Sequence, residues 1–390
     1  EYEAFLKKYW GYDSFRKLKM YRDIERSGNE TIEVSQSQII DDIIEQSESA
    51  LQGKDFRDVY VTSSTGAGKS IMFQLPALYL AEKYRKEKCL TIVISPLIGL
   101  MDDQVEGLVS KNISNAATIH SNISPVERRN IMEKIINGEV DILYISIETL
   151  LGRGDITSLI GNRKIGLFVV DEAHIVTTWG KSFRADYWYM GAYLSKLRKE
   201  YKFPIVTFTA TAIFGGKEDM YQETRDSLKM LNPIAYFGYV RRDDLFMVVN
   251  STKDEPDMNI TEYRKTKFEI MGKRLNNFLN KNEKTLVYFP TVRLLNAYYS
   301  HIKHFEPKLE PKVTRYYGPM DKEEKNVSYL SFLQGDQLIM LATKAFGMGI
   351  DIPDIKNVYH FAPTGNVIDY VQEIGRAARR LDKGFAYQVN

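Results

Sequence analysis

Short apolar runs alternate with longer amphipathic segments along most of the chain. Between residues 58 and 209, runs rich in β-branched residues recur between stretches of helical periodicity. The predicted strands here are Asp58–Thr62, Leu90–Ser95, Val140–Ser146, Ile165–Val170 and Pro204–Thr209. Strands that alternate with helices predict a parallel sheet with helices on both faces. The near-continuous apolar character of these strands fits burial on both sides.

A second alternation of the same kind follows a polar stretch from Asn250 to Asn259. Its predicted strands are Thr285–Phe289, Val313–Tyr317, Leu338–Ala342, Asn357–Phe361 and Phe385–Val389. We therefore predict an α/β protein of two domains, 1–238 and 239–390, which agrees with a length of 390 residues. Residues 1–50 are predicted to be mostly helical, with a turn at Ser27–Asn29 and an amphipathic helix from Gln36 to Ile44.

Composition narrows the class of protein. Apolar content of 44% and charged content of 27% are ordinary for a globular chain. The net charge is only +2, so any nucleic acid would be bound by local basic patches. The single cysteine, Cys89, allows no intrachain disulfide and no cysteine-based zinc cluster, so we expect no zinc. No run of 18 apolar residues occurs, and we expect an intracellular protein of the cytoplasm, nucleoid or nucleus without a membrane partner.

The most informative stretch runs from Thr62 to Ser70, where a glycine-rich turn separates a predicted strand from a predicted helix. Backbone N–H groups of such a turn and of the helix N-terminus point at nucleotide phosphates. Lys69 would reach the β- and γ-phosphates, and the Ser70 hydroxyl would take a Mg²⁺ coordination position. Ser63 stands where the full pattern has glycine, so an ordinary turn is the alternative for this stretch alone. The glycines expected to contact the phosphates are Gly66 and Gly68.

Two adjacent carboxylates follow the predicted strand Ile165–Val170. They should lie at the carboxyl edge of the sheet, where ligands bind in open α/β folds. Asp171 would hold Mg²⁺, Glu172 would activate the attacking water as general base, and His174 would sense the γ-phosphate. The alternative for this segment alone is an acidic strand end before a helix, with no catalytic role. The phosphate loop upstream in the same domain makes this alternative the weaker interpretation.

The second domain offers two arginines, Arg376 and Arg379, in a segment predicted to be helical. Residues three apart share a helix face, and arginines opposite a phosphate loop accelerate phosphoryl transfer by about 10³–10⁵. The alternative is a solvated basic helix end. A strand-end turn containing Gly349 and Asp351 is expected to contact the ribose and a nucleic-acid backbone.

An aromatic and basic segment, residues 179–184, follows the two carboxylates. Trp179, Phe183 and Arg184 together could form a stacking and phosphate-binding platform for a single strand. The alternative is that the two aromatic residues belong to the core.

These pieces, in this order, resemble the core of a superfamily 2 helicase, and their details resemble the RecQ family of ATP-dependent DNA helicases. The segments that carry the resemblance are Gly11–Tyr12 with Phe15–Arg16, Ser95–Val105, Asp171–His174 with Trp179–Arg184, Ala345–Ile350 and Gln372–Arg379. The resemblance implies two tandem RecA-like domains with ATP in the cleft between them and Mg²⁺ as cofactor. It also implies movement 3′ to 5′ on single-stranded or partly duplex DNA.

The same resemblance implies roles for individual residues. Those expected on the DNA backbone are Ser95, Pro96, Gln104, Ser146 and Thr343, while the aromatic-rich loop would couple DNA contact to hydrolysis. Adenine recognition is assigned to Arg16 and Gln38. The family's glutamine comes a few residues after Phe-Arg, and here the candidate arrives after an apparent insertion.

Three alternatives to a RecQ-like helicase stay open at this point. One is an RNA helicase of the same superfamily. Another is a translocase or remodelling motor of a larger assembly, with further domains or partner proteins, because the chain stops shortly after Arg379, before the family's zinc and winged-helix domains. The third is an ATP-gated binding module whose hydrolysis is vestigial.

Overall fold

The computed structural model describes residues 2–24, 26, 28–64, 67–96, 98–152, 156–174, 181–210, 214–215, 219–239, 242–250, 259–347, 352–365, 367–379 and 381–389. The chain divides into two compact units, Glu1–Val240 and Arg241–Asn390. Each unit contains its own parallel sheet, so the predicted α/β class is confirmed.

The first unit is built on a seven-stranded parallel sheet and an additional antiparallel hairpin. Its strands are β1 (Lys17–Tyr21), β2 (Thr31–Ser35), β3 (Val59–Thr62), β4 (Leu90–Ile94), β5 (Ala116–Ile119), β6 (Ile142–Ile145), β7 (Ile165–Val170), β8 (Ile205–Thr209) and β9 (Ile234–Phe237). The order across the large sheet is β5-β6-β4-β7-β8-β3-β9. Strands β3, β4, β6, β7 and β8 are buried along their whole length, as expected for a sheet covered on both faces.

Helices cover this sheet on both sides. They are α1 (Tyr2–Trp10), α2 (Gln36–Leu51), α3 (Lys69–Lys83), α4 (Ile98–Val109), α5 (Pro125–Asn137), α6 (Ile147–Leu151), α7 (Thr157–Ile160), α8 (Lys181–Leu197) and α9 (Met220–Ser227). Ile39, Ile43 and Phe73 from α2 and α3 are fully buried in the same apolar cluster as Val61 and Phe208 of the sheet. The core therefore lies directly beneath the loop that joins β3 to α3.

The mostly helical prediction for residues 1–50 is wrong between Lys17 and Ser35. These residues form the β1–β2 hairpin, with Lys17 opposite Ser35 and Tyr21 opposite Thr31. Polar and apolar residues alternate along both strands, which places Met20 and Val34 in the core at 1% and 3% exposure. The predicted helix from Gln36 is confirmed and extends to Leu51.

The second unit contains a six-stranded parallel sheet in the order β10-β15-β14-β11-β13-β12. Its strands are β10 (Leu245–Asn250), β11 (Thr285–Tyr288), β12 (Val313–Tyr316), β13 (Ile339–Ala342), β14 (Asn357–His360) and β15 (Gly384–Val389). Its helices are α10 (Ile260–Asn280), α11 (Val292–Phe305), α12 (Lys322–Gln334) and α13 (Val367–Ile374), with a short 3-10 helix at Glu310–Lys312. Successive residues of β11, Leu286 and Val287, are buried in different apolar clusters, so both faces of this sheet are covered.

Within the part of the chain that the structure describes, we find no helix with both the length and the apolar character needed to cross a membrane.

Candidate functional site

The glycine-rich turn lies between β3 and α3, as the sequence predicts. Gly68 has a φ of +74° and immediately precedes Lys69 and Ser70, which form the first turn of α3. Both side chains are therefore at a helix N-terminus, where unpaired backbone N–H groups favour a bound anion. Gly66 lies outside the described residues.

Asp171 and Glu172 follow β7 at the carboxyl edge of the same sheet. Lys69 Nζ is 4.0 Å from Glu172 Oε1, with the two side chains only 13% and 18% exposed. Burial, with the neighbouring Glu172 charge, raises the pKa of Asp171 to about 7 against the opposing charge of Lys69. The strand end thus holds two close carboxylates with one nearby cation, an arrangement that favours a further cation.

Glu172 has a left-handed backbone conformation, with a φ of +51°. A non-glycine residue in this region costs free energy and often marks a functional site. Its side chain is also held in place, because Glu172 Oε2 is 3.2 Å from His174 Nδ1. His174 is 2% exposed, and its Nδ1 is 3.3 Å from Thr209 Oγ1 at the end of β8. A chain of contacts therefore joins Glu172 to the neighbouring strand through His174.

Gln36 was not singled out from the sequence, yet it contacts the phosphate loop directly. Its Nε2 donates hydrogen bonds to the backbone oxygens of Ala67 and Gly68, at 2.8 and 3.4 Å. Its Oε1 accepts from the backbone N–H of Arg16 at 3.1 Å. A Cβ at position 68 would lie 2.7 Å from Gln36 Nε2, which is a second reason for glycine there.

Gln38 is exposed on α2, and the glutamine that contacts the phosphate loop is Gln36. Two residues along a helix with 3.6 residues per turn correspond to about 200° of rotation, so the two glutamines point in nearly opposite directions. Ser35 caps the helix by accepting from the Ser37 backbone N–H, and this cap marks Gln36 as the first helical residue. Such a capping signal could have identified the residue from the sequence.

Residues expected on a nucleic-acid backbone follow β4 and β6. Ser95 is 1% exposed, and its hydroxyl has no hydrogen-bond partner among the described residues. Ser146 caps α6 and shares a hydrogen bond of 2.8 Å with Thr149. Gln104 on α4 accepts from Gln74 at 2.8 Å.

Ser95 and Ser146 follow strands that are not adjacent to β3, the strand before the phosphate loop. Ser146, Ser95, Asp171 and Thr209 belong to the ends of β6, β4, β7 and β8, which are successive neighbours, and β3 comes next. Adjacent strands are about 4.8 Å apart, so Ser146 is separated by several strands from the phosphate loop. Pro96 follows Ser95 on the same edge.

The aromatic-rich segment is described only in part. Trp179 lies outside the described residues, and Phe183 and Arg184 belong to the first turns of α8, with side chains outside the described part of the chain. Their expected contact with a single strand stays a prediction.

In the second unit, α13 ends at Ile374, so the expected helix through Arg376 and Arg379 is wrong. The chain turns there, with Ala378 at a φ of +56°. Arg376 is 7% exposed and donates to the backbone oxygen of Gly347. Both arginines are close enough to Tyr288 for their charges to oppose the rise in its pKa that burial causes. Both arginines therefore lie in a turn near Tyr288 and not on one helix face.

Thr343 follows β13, and its backbone oxygen accepts from Phe346 at 2.9 Å in the turn that also contacts Arg376. Gly349 and Asp351, further along this segment, lie outside the described residues.

Two family models match the chain. The DEAD/DEAH box helicase family matches residues 34–219, and the helicase conserved C-terminal domain matches residues 266–380. The first match contains Lys69, Asp171 and Glu172, and the second contains Arg376 and Arg379.

Curated proteins similar to this chain include the ATP-dependent helicase SGS1 of Saccharomyces cerevisiae, 34% identical over 89% of this chain and 22% of that protein. The ATP-dependent DNA helicase RecQ of Synechocystis is 31% identical over 97% of this chain and 68% of that protein. The ATP-dependent DNA helicase Q4 of Homo sapiens is 30% identical over 81% of this chain and 25% of that protein. The chain thus spans from about a fifth to about two thirds of the length of these relatives.

Solved structures share the fold at low sequence identity. The helicase MrfA bound to DNA has a TM-score of 0.72 and 16% identity, over 96% of this chain and 50% of that one. The DEAD-box helicase Mss116 bound to single-stranded RNA has a TM-score of 0.68 and 16% identity, over 91% of this chain and 70% of that one.

Proposed function

Because this chain belongs to the RecQ family of ATP-dependent DNA helicases, we propose that it is a DNA-stimulated ATPase that moves 3′ to 5′ along single-stranded DNA. One observation carries the proposal: Lys69, Asp171 and Glu172 converge at the carboxyl edge of one parallel sheet, with Lys69 Nζ 4.0 Å from Glu172 Oε1. A cation and two carboxylates beside a glycine turn are the parts that phosphoryl transfer needs.

ATP binding is assigned to the phosphate loop and to the Arg16–Gln36 pair. Lys69 and the N–H groups at the start of α3 would bind the phosphates. Gln36 contacts the loop and Arg16 at the same time, and this shared contact supports assigning adenine recognition to the pair.

The residues beside the loop fit Mg²⁺. Asp171 and Ser70 supply a carboxylate and a hydroxyl, the oxygen ligands that this ion prefers, and burial disfavours the uncompensated charge on Asp171. Asp171 and Ser70 would hold the ion, which would neutralise charge on the transferring phosphoryl group.

Hydrolysis is assigned to Glu172, which would take the proton of the attacking water. His174, held between Glu172 and Thr209, would keep that carboxylate oriented. Arg376 and Arg379 would stabilise the charge that develops on the phosphoryl oxygens, a contribution of about 10³–10⁵ in rate.

DNA binding is assigned to residues that follow β4 and β6, to Gln104 on α4, to Thr343 of the second unit and to the aromatic-rich segment. Ser95, Pro96, Gln104, Ser146 and Thr343 would contact the DNA backbone, while Trp179 and Phe183 would stack on bases and Arg184 would contact phosphate. A motor of this kind acts where the DNA is, in a nucleoid or nucleus.

The direction of movement can be tested with single-stranded oligonucleotides that carry biotin–streptavidin at one end. A 3′ to 5′ motor displaces streptavidin from the 5′ end and leaves it on the 3′ end. Lys69→Ala is the matched control and should displace neither. ATP-dependent displacement from the 3′ end alone, or from neither end by the wild-type chain, would contradict the proposal.

A further inference from the structure

We propose that Tyr239 is a positioning residue for the Arg16–Gln36 pair and acts on it through the β1–β2 hairpin. The inference rests on the proposed function, because it takes this pair to contact the adenine of ATP. The hairpin joins Arg16 to Gln36 along the chain.

The insertion leaves the two ends of the hairpin in contact. Gln36 N–H donates to the Arg16 backbone oxygen at 2.9 Å, and Arg16 N–H donates to Gln36 Oε1 at 3.1 Å. The first of these bonds continues the backbone ladder that pairs Lys17 with Ser35, and the second is accepted by the Gln36 side chain. The geometry of the Arg16–Gln36 pair therefore depends on the order of the hairpin from which it extends.

A two-stranded hairpin is marginally stable without further contacts, and this one has two attachments. Met20 and Val34 fix its inner face to the core. Its edge is fixed by the segment after β9, because Met20 forms an antiparallel bridge with Gly238 and Tyr239 N–H donates to the Lys19 backbone oxygen at 2.8 Å. Gly238 and Tyr239 thus act as a third strand.

This third strand is itself fixed beside the phosphate loop. Gly238 N–H donates to both the backbone oxygen and the hydroxyl of Thr62, each at 2.9 Å. A Cβ at Gly238 would lie 2.4 Å from the Thr62 oxygen, so only glycine permits this approach. Thr62 is the last residue of β3, the strand that leads into the loop.

The Tyr239 side chain holds β1 in register. Lys19 Nζ is 4.2 Å from the centre of its ring, and the Tyr21 ring lies 5.6 Å away. Lys17, two residues before Lys19 on the same strand, instead pairs with Glu33 at 3.4 Å within the hairpin. Tyr239 therefore contacts β1 directly, and β1 begins at Lys17, next to Arg16.

The test compares KM and kcat for ATP and GTP, with saturating single-stranded DNA, in the full chain. Tyr239→Ala should raise the KM for ATP about fivefold, because it removes an aromatic and a cation–π contact, and should lower the preference for ATP over GTP by a similar factor. Its kcat should stay within about twofold, since no group at the phosphates changes. Tyr239→Phe keeps the ring and should behave like wild type.

Lys17→Ala is the matched control for Lys19→Ala. The Lys19 variant should raise the KM for ATP about twofold through the lost cation–π contact, while the Lys17 variant should leave it unchanged. The two lysine variants test the positioning role of Tyr239 if Tyr239→Ala does not fold. Equal KM values for ATP in these two variants would overturn the inference.

A Gln36→Ala variant tests the proposed adenine contact separately from the positioning role of Tyr239. If it keeps the preference for ATP over GTP, the proposed adenine contact is wrong and the inference falls with it. If it loses that preference while Tyr239→Ala keeps it, the adenine contact stands and the positioning role of Tyr239 is refuted.

Discussion

Replacing Arg198 with methionine should destabilise the first unit strongly, because it leaves the Asp58 carboxylate buried without its counter-charge. Asp58 is 0% exposed, and Arg198 is 7% exposed. Both guanidinium Nη atoms of Arg198 donate to Asp58, which also accepts from the backbone N–H groups of Ile205 and Leu231. One carboxylate therefore joins the residue before β3 to the first residue of β8 and to the segment before β9.

The expected loss follows from this burial. Removal of one partner of a buried ion pair costs about 3–5 kcal/mol, and the two backbone donors that stay on Asp58 place the expected value near the lower end. A loss of about 3 kcal/mol in a domain of this size lowers the melting midpoint by roughly 6–12 °C. The double variant Asp58→Leu with Arg198→Met leaves no buried charge, but it leaves the backbone N–H groups of Ile205 and Leu231 without their carboxylate acceptor. We therefore expect it to recover only part of the stability lost in Arg198→Met.

Urea unfolding followed by tryptophan fluorescence is a suitable assay, because Trp10, Trp179 and Trp188 all belong to the first unit. Arg225→Met is the matched control, since Arg225 forms an exposed pair with Asp226 at 3.1 Å and should cost less than about 0.5 kcal/mol. A loss for Arg198→Met no larger than that of the control would refute the reasoning.

Three further predictions concern the site. In metal-free buffer, Asp171→Asn should raise the melting midpoint at pH 8, because burial raises the pKa of Asp171 to about 7. The folded wild-type protein loses stability as the pH rises from about 4 to about 7, because Asp171 then becomes charged. The difference in melting midpoint between the variant and wild type should therefore shrink toward about pH 4 in thermal scans. A difference that does not change with pH would contradict the raised pKa of Asp171. Gln36→Ala should raise the KM for ATP about tenfold through its lost hydrogen bonds, whereas Gln38→Ala should stay within about twofold, and equal KM values would contradict the placement of Gln36. Arg376→Ala should lower kcat by about 10³ with little change in nucleotide affinity. Arg376→Lys should recover little of the lost kcat, because lysine cannot reproduce the forked donor of arginine. Equal kcat values for Arg376→Lys and wild type would exclude an arginine-specific role.

The strands and the phosphate loop could be predicted from the sequence because their signals are local. Ile165–Val170 is a continuous apolar run of the right length, and it is bounded by polar residues. Lys69 and Asp171 could be assigned to one edge because parallel strands place all their carboxyl ends together.

The hairpin and the arginine turn could not be predicted by the same means. Lys17–Tyr21 is short, and its alternating pattern competes with the helical segments on either side. The turn at Arg376 depends on Ala378, which has a φ of +56° although alanine does not favour it. That conformation is supported by tertiary contacts, including the hydrogen bond of 2.9 Å from Ala378 N–H to the Ile355 oxygen, and local propensity cannot reveal such contacts.

Steady-state ATP hydrolysis tests the central claim most directly. The rate should be measured with no nucleic acid, with single-stranded DNA, with duplex DNA and with RNA, for the wild-type chain and for Glu172→Gln and Lys69→Ala. We expect strong stimulation by single-stranded DNA, little by RNA, and loss of the stimulated rate in both variants. Stimulation by RNA alone, or a Glu172→Gln rate equal to that of the wild type, would contradict the account.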